Sequence, residues 1–88
     1  MTSQIRRAAV SITSNIAEGF SRNFYREKSQ FYSTSLGSVT EVQNQLLLAR
    51  DVGYITQGKF KEIADQTVLV NKILNGLIKK SRIIGRNS

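Results

Sequence analysis

The sequence predicts an all-α fold, an antiparallel up-down bundle of three helices in a single domain that spans residues 1–88. None of the 88 residues is proline and only six are glycine, which favours long helices. Two long segments repeat apolar residues at alternating spacings of three and four, the heptad pattern of packed helices. Because the connections are short, consecutive helices are expected to lie side by side in opposite directions.

The first helix is predicted over residues 3–19. Its apolar face carries Ile5, Ile12 and Ile16, and most of the side chains around them are alanine or serine. Such small side chains allow a neighbouring helix to approach closely, so this helix is expected to be the central one. Gly19 is expected to end it, in the left-handed conformation that glycine adopts readily.

The second helix is predicted over residues 26–52, and Gly53 supplies its end. Gly37 lies inside it at a cost of about 1 kcal/mol relative to alanine. A close crossing of two helices at this glycine would offset that cost. The heptad seam of the second helix consists of Tyr32, Ser35, Val39, Val42, Leu46 and Ala49.

The third helix is predicted over residues 57–83, with Thr56 or Gln57 at its start and Gly85 as its stop. Its seam is the most regular apolar pattern in the chain. That seam consists of Phe60, Ile63, Thr67, Val70, Leu74, Leu77, Ser81 and Ile84.

The composition excludes several classes of function. There is no cysteine and no histidine, so disulfides, thiolate or imidazole metal sites and imidazole acid–base chemistry are ruled out. No nucleophile–base pair accompanies the carboxylates, so the chain is predicted to be no enzyme and to bind no cofactor or metal. The longest apolar run, Leu46–Ala49, is far shorter than the ~20 residues of a membrane span. No signal-peptide pattern opens the chain, so a cytoplasmic location without a membrane partner is expected.

The net charge of +7 comes from thirteen lysines and arginines against six acidic residues. One interpretation is a solvated surface, on which Glu18 pairs with Arg22 and the last cations complement a helix dipole. The other is a polyanionic partner, RNA or DNA, whose phosphates suit guanidinium and ammonium groups. The candidate contacts for nucleic acid are Arg6, Arg7, Arg22, Arg26, Lys28, Lys79, Lys80 and Arg82.

Apolar residues outside the helix seams predict that the molecule associates with itself. The first helix is too short to cover both others, so a stripe of apolar surface should stay open, and such stripes mark association surfaces. Phe24, Tyr25, Phe31 and Tyr32 could stack on unpaired bases, although aromatic clusters are more often core or interface. The residues assigned to the oligomer interface or the core are Ile5, Ile12, Ile16, Phe31, Tyr32, Leu36, Leu47, Leu69 and Ile73.

A family resemblance rests on three segments, SQIRRAAVSITSNIAEGFSR, FYSTSLGSVTEVQNQLLLARDVGYI and KILNGLIKK. They resemble the bacterial four-helix-bundle proteins named after open reading frames in 23S ribosomal RNA intervening sequences, a family that includes accessory proteins of diversity-generating retroelements. The resemblance implies a further helix before TSQIRRA, so a truncated four-helix bundle with an unfilled groove is expected. It also implies a ring-like pentamer, with a dimer as the alternative, and basic surfaces that hold nucleic acid and a reverse transcriptase.

Two functions are compatible with this sequence. The first is a non-enzymatic, self-associating helical bundle whose basic surface binds nucleic acid, RNA above all, through phosphates. The second is a protein-interaction adaptor or structural oligomer, for example a partner of a reverse transcriptase, with no direct role in nucleic-acid binding. The second function would leave the positive charge to keep the protein soluble.

Overall fold

The structure, a computed structural model, describes residues 2–87 and the side chains of residues 3–85. Its three α-helices are α1 (Thr2–Ser21), α2 (Tyr25–Asp51) and α3 (Gln57–Asn87). No strand occurs in the described range, which confirms the all-α prediction. The helix bounds differ most from the predicted ones at the end of α3, which continues four residues further.

The central helix of the bundle is α2. It packs against α1 on one side and α3 on the other, whereas no Cα atom of α1 lies within 8 Å of one in α3 over the described residues. The prediction that α1 is central was therefore wrong. Small side chains do bring a neighbour close to α1, but that neighbour is α2 alone, and α2 has enough apolar surface for two partners. The Cα atoms span 50 × 20 × 13 Å, an elongated and thin arrangement.

The α1–α2 interface is closely packed and contains polar bonds. The hydroxyl of Ser35, a fully buried residue, donates to the backbone oxygen of Ile12 at 2.8 Å. One turn further along α2, the Ser38 hydroxyl donates to the Ser11 hydroxyl, also at 2.8 Å. The residue numbers rise along α2 as they fall along α1, so the two helices are antiparallel. These bonds fix the axial register, because a shift of either helix would leave buried hydroxyls without partners.

Gly19 does not end α1. It is buried inside the helix, which continues to Ser21, and Gly53 alone has a positive φ among the described residues. The Tyr32 ring occupies the space of a side chain here, since a Cβ on Gly19 would lie 2.9 Å from Tyr32 Cδ1 and 3.0 Å from Cζ. The predicted left-handed stop was wrong because this glycine allows a close approach between helices and not a change in backbone direction.

The α2–α3 interface is built from the two predicted seams. All six seam residues of α2 are buried, and every seam residue of α3 is buried or half-buried. Gln43 Nε2 donates across the interface to Thr67 Oγ1 at 3.0 Å. One core cluster consists of Tyr32, Val39, Leu74 and Ile78, and a second joins Ala8 of α1 to Val42 and Leu46 of α2.

The turn between α2 and α3 follows the sequence signals. Gly53 has φ 81°, as expected for a glycine just after a helix end, and the N–H of Tyr54 donates to the Ala49 oxygen at 2.8 Å. Thr56 caps α3, because its hydroxyl accepts the N–H of Lys59 at 3.1 Å.

Two other glycine predictions were wrong. Gly37 is exposed, and a Cβ added to it would meet nothing within 4 Å, so no close helix crossing occurs there. Gly85 lies inside α3 and does not stop it. The close crossing predicted at Gly37 occurs at Gly19, where the ring of Tyr32 approaches the backbone of α1.

Several apolar side chains lie outside the core. Leu47, Leu69 and Ile73, assigned above to interface or core, are 43%, 59% and 53% exposed, so the structure excludes them from the core and their place in an interface stays a prediction. Ile5, Ile12, Ile16, Phe31 and Leu36 are half-buried, and Tyr32 is fully in the core. Within the described residues, no helix combines the length and apolar character that a membrane crossing requires.

Candidate nucleic-acid interface

The helix order brings two basic segments to the same end of the molecule. The α1–α2 connection and the start of α2 lie beside the last turns of α3, where a Cβ on Gly85 would sit 3.5 Å from Tyr25 Cβ. We call this end, formed by residues 22–29 and 79–85, the basic end. Sequence distance hid this juxtaposition, because the two segments are about fifty residues apart and meet only through the antiparallel packing of α2 and α3.

Four cations of the basic end are exposed and have no acidic partner. Arg26, Lys79, Lys80 and Arg82 all lie on the surface, and none of them takes part in an ion pair with another described residue. Two of them, Lys79 and Lys80, are adjacent in the chain, and Arg82 follows within the same turn of α3. Positive charge is therefore concentrated here without neutralisation.

The opposite end of the molecule carries cations whose charge is mostly offset. Arg50 lies 3.3 Å from the Asp51 carboxylate, Lys59 lies 3.4 Å from that of Glu62, and Lys61 lies 3.2 Å from that of Asp65. The uneven distribution of the carboxylates, more than that of the basic residues, makes one end of the molecule more positive. A list of lysines and arginines in sequence order does not show this, since the pairing depends on helical spacing.

Arg22 and Lys28 have structural partners. Arg22 Nη2 lies 3.1 Å from Glu18 Oε2, which confirms the ion pair considered from the sequence, and its guanidinium lies 4.8 Å from the centroid of the Phe31 ring. Lys28 Nζ donates to two backbone oxygens at the end of α1, those of Gly19 at 3.1 Å and Phe20 at 3.0 Å. A cation at a helix C-terminus complements the dipole, so Lys28 closes α1.

Arg6 and Arg7 lie far from the basic end. Both are exposed in the first turns of α1, about 24 Å along the helix from Arg22 at 1.5 Å per residue. The predicted phosphate contacts thus form two separate groups: the structure brings Arg26, Lys79, Lys80 and Arg82 together, and it leaves Arg6 and Arg7 at the other end.

A cavity of about 500 Å³ opens at the basic end. Its walls come from the α1–α2 connection, the first turns of α2 and the last turns of α3. Sequence analysis missed it, because Ser81 belongs to the seam pattern and nothing local marks Ser29 as lining a cavity. The side chains used below are those of Phe24, Arg26, Ser29, Ser81 and Arg82.

The Tyr32 hydroxyl stays neutral at ordinary pH. Burial, and secondarily the neighbouring Tyr25, raises the pKa of Tyr32 above its usual value of 10.0. Within the described residues, no group of three or more acidic side chains is placed to hold a metal ion. The chemistry available at the basic end is therefore that of cations, hydroxyls and aromatic rings.

Comparison with known families places the chain. The family model described as 23S rRNA-intervening sequence protein matches residues 1–76. The chain belongs to this family. The match agrees with the resemblance seen in the sequence, and it extends over α1, α2 and most of α3 of this 23S rRNA-intervening sequence protein. The cations from Lys79 to Arg82 follow the matched range. No curated protein gave a match.

Proposed function

We propose that this chain is a non-enzymatic, self-associating helical bundle that binds nucleic acid, RNA in particular, through backbone phosphates. The observation that carries the proposal is the concentration of unpaired positive charge at the basic end. Arg26, Lys79, Lys80 and Arg82 are exposed there without acidic partners, whereas the cations of the α2–α3 turn are paired.

Phosphate recognition suits these residues. Arginine presents a planar fork of donors that matches two phosphate oxygens, and lysine contributes a compact charge. Nothing in the helices corresponds to a recognition element for the grooves of DNA, so binding is expected to depend weakly on base sequence. Arg6 and Arg7, exposed at the far end of α1, would make a second and smaller group of phosphate contacts on a long nucleic acid.

Self-association is supported by the apolar side chains that the single chain leaves in solvent. Val10 is 56% exposed, Leu69 59% and Ile73 53%, and α1 and α3 do not cover one another in the described residues. Burying such surface between copies is favourable by about 25 cal/mol per Å². The family resemblance points to a pentamer, with a dimer as the alternative. Several basic ends in one assembly would bind a long RNA with avidity.

The salt dependence of binding tests the phosphate contacts. If the assembly neutralises about six phosphates of a duplex, the logarithm of the association constant should fall against the logarithm of salt concentration with a slope near −5. Fluorescence anisotropy with a labelled duplex RNA gives this slope directly. An affinity that stays constant between about 50 and 300 mM salt would exclude the proposal.

A pair of matched triple variants locates the contacts. The variant Lys79→Gln/Lys80→Gln/Arg82→Gln removes three unpaired cations, and its salt slope should be smaller by about three, with affinity lower for every RNA sequence. The control is Arg50→Gln/Lys59→Gln/Lys61→Gln, which lowers the net charge by the same amount at the opposite end. Equal losses in the two variants would show that only net charge matters and that the basic end has no special role.

A second candidate function is an adaptor that binds proteins, such as a reverse transcriptase, and no nucleic acid. The exposed apolar side chains of α1 and α3 favour it. The absorbance ratio at 260 and 280 nm of purified protein, before and after a high-salt wash, separates the two functions. Nucleic acid that co-purifies and leaves in high salt supports the first, and protein free of nucleic acid at low salt supports the second.

A further inference from the structure

We infer that the cavity at the basic end holds one unpaired nucleotide, with its phosphate between Arg26 and Arg82 and its base against Phe24. The inference rests on the proposed function, and it specifies which part of a nucleic acid this site takes. It makes the basic end a site that distinguishes single-stranded from fully paired RNA, beyond general attraction to phosphates.

The size and composition of the cavity fit such a ligand. A volume of about 500 Å³ falls within the ~300–1,000 Å³ range of sites for small organic molecules. Its lining combines aromatic rings, hydroxyls and two guanidinium groups, which correspond to the base, the sugar hydroxyls and the phosphate of a nucleotide.

The two arginines are free to bind an anion. Arg26 and Arg82 line the cavity from α2 and α3 respectively, and both are exposed. Neither side chain forms a hydrogen bond or ion pair with another residue in the described range. Two unpaired guanidinium groups beside one cavity repel each other, and a phosphate between them would relieve that repulsion and accept bonds from both. Arg22 takes no part, because Glu18 already neutralises it.

Ser81 provides an independent indication of a polar ligand. It is only 5% exposed and lines the cavity, yet its hydroxyl forms no hydrogen bond with any other residue that the structure describes. Buried polar side chains are nearly always hydrogen-bonded. A hydroxyl left without a partner at a cavity wall suits a ligand oxygen, and Ser29 lines the same cavity from α2.

Phe24 accounts for the choice of an unpaired nucleotide. It precedes the first turn of α2 in an extended conformation, and its side chain is 68% exposed, so it presents its ring at the edge of the cavity. In a duplex both faces of each base are covered by neighbouring bases. Only a base outside the stack, in a loop, a bulge or a single strand, can lie on such a ring, and stacking tolerates any of the bases.

The test compares two RNAs in anisotropy titrations at one salt concentration, an unstructured single strand and a blunt duplex. Substituting Phe24→Ala should weaken binding of the single strand by about 5- to 150-fold, the range for loss of one stacked base. Binding of the duplex should change by less than about twofold, because phosphate contacts remain. Phe24→Trp should restore the affinity for the single strand, which a merely structural role of the phenylalanine would not explain.

Tyr54→Ala is the matched control, since Tyr54 is an exposed aromatic residue, 75% accessible, at the opposite end of the molecule. It should alter neither titration. Ser81→Ala should weaken the single strand selectively, like Phe24→Ala but less.

The outcomes separate the inference from the proposed function. If both RNAs bind in a salt-dependent way and Phe24→Ala affects neither or both equally, the nucleotide site is overturned and the general phosphate surface stands. If neither RNA binds at any salt concentration, the proposed function fails and the inference fails with it. A selective loss for the single strand supports both.

Discussion

Gly19 has no room for a side chain, because the Tyr32 ring lies where its Cβ would be. Alanine favours a helix over glycine by about 1 kcal/mol, but overpacking a buried contact costs about 1–3 kcal/mol. Tyr32 is 2% exposed and cannot swing out into solvent. We expect Gly19→Ala to lower the free energy of unfolding by about 1 kcal/mol in urea denaturation.

Gly37→Ala is the matched control for this substitution. Gly37 is also inside a helix, but a Cβ there would meet nothing within 4 Å. The change should raise the free energy of unfolding by about 0.5–1 kcal/mol. Two alanine variants of similar stability would contradict the close approach of Tyr32 to α1.

The residue scale also shows where sequence reasoning failed. A glycine after an amphipathic stretch has two uses, a left-handed stop and a close contact between helices, and the local sequence is the same for both. Gly53 has the first use and Gly19 the second. The difference lies in Tyr32, which is distant in sequence and close in space, so no local pattern could have separated the two glycines.

At the scale of elements, the end of α1 depends on Lys28. Its ammonium group donates to the backbone oxygens of Gly19 and Phe20, which have no partner further along α1. We expect Lys28→Met to lower the free energy of unfolding by about 1 kcal/mol, because the methylene stem is kept and only the charged hydrogen bonds are lost. Thermal or urea unfolding followed by circular dichroism measures this.

Arg26→Gln serves as the comparison for Lys28. Arg26 is two residues away in the same turn of α2, is exposed, and has no ion pair in the described range. Its substitution should leave stability within about 0.5 kcal/mol of the original and weaken RNA binding. The reverse pattern, a stable Lys28 variant and an unstable Arg26 variant, would mean that the roles of these two cations have been exchanged.

The helices themselves were predictable because their seams are long and regular. Every residue of the α2 seam is buried, from Tyr32 to Ala49, since a heptad pattern identifies a packed face whichever helix covers it. The same pattern does not say how many helices cover that face, so it did not show that α2 is central. The cavity was not predictable either, because it exists only where the connection after α1 meets the last turns of α3.

On the scale of the whole molecule, the exposed apolar side chains bear on assembly. Leu69 and Ile73 are four residues apart on α3 and are more than half exposed. If copies of the chain bury this surface, the variant Leu69→Gln/Ile73→Gln should shift the assembly towards monomer and keep its helical circular-dichroism signal. Multi-angle light scattering at two protein concentrations reports the mass.

Val52→Gln provides the control for assembly. Val52 is 57% exposed and adjoins the turn between α2 and α3, so its substitution should not alter the mass. An unmodified protein that is monomeric at both concentrations would exclude the self-association part of the proposed function. A mass that falls equally in both variants would indicate a general effect of surface polarity and not a defined interface.

The position of α2 between two helices that do not meet has a consequence for how the molecule opens. The bundle consists of two helical hairpins that share α2, and the described residues of α1 and α3 have no close backbone contact. Either outer helix can detach while the other hairpin persists, so local unfolding should begin at the flanks. Amide protons of α2 then exchange with solvent only after both hairpins have separated, which makes this helix the slowest-exchanging part of the chain.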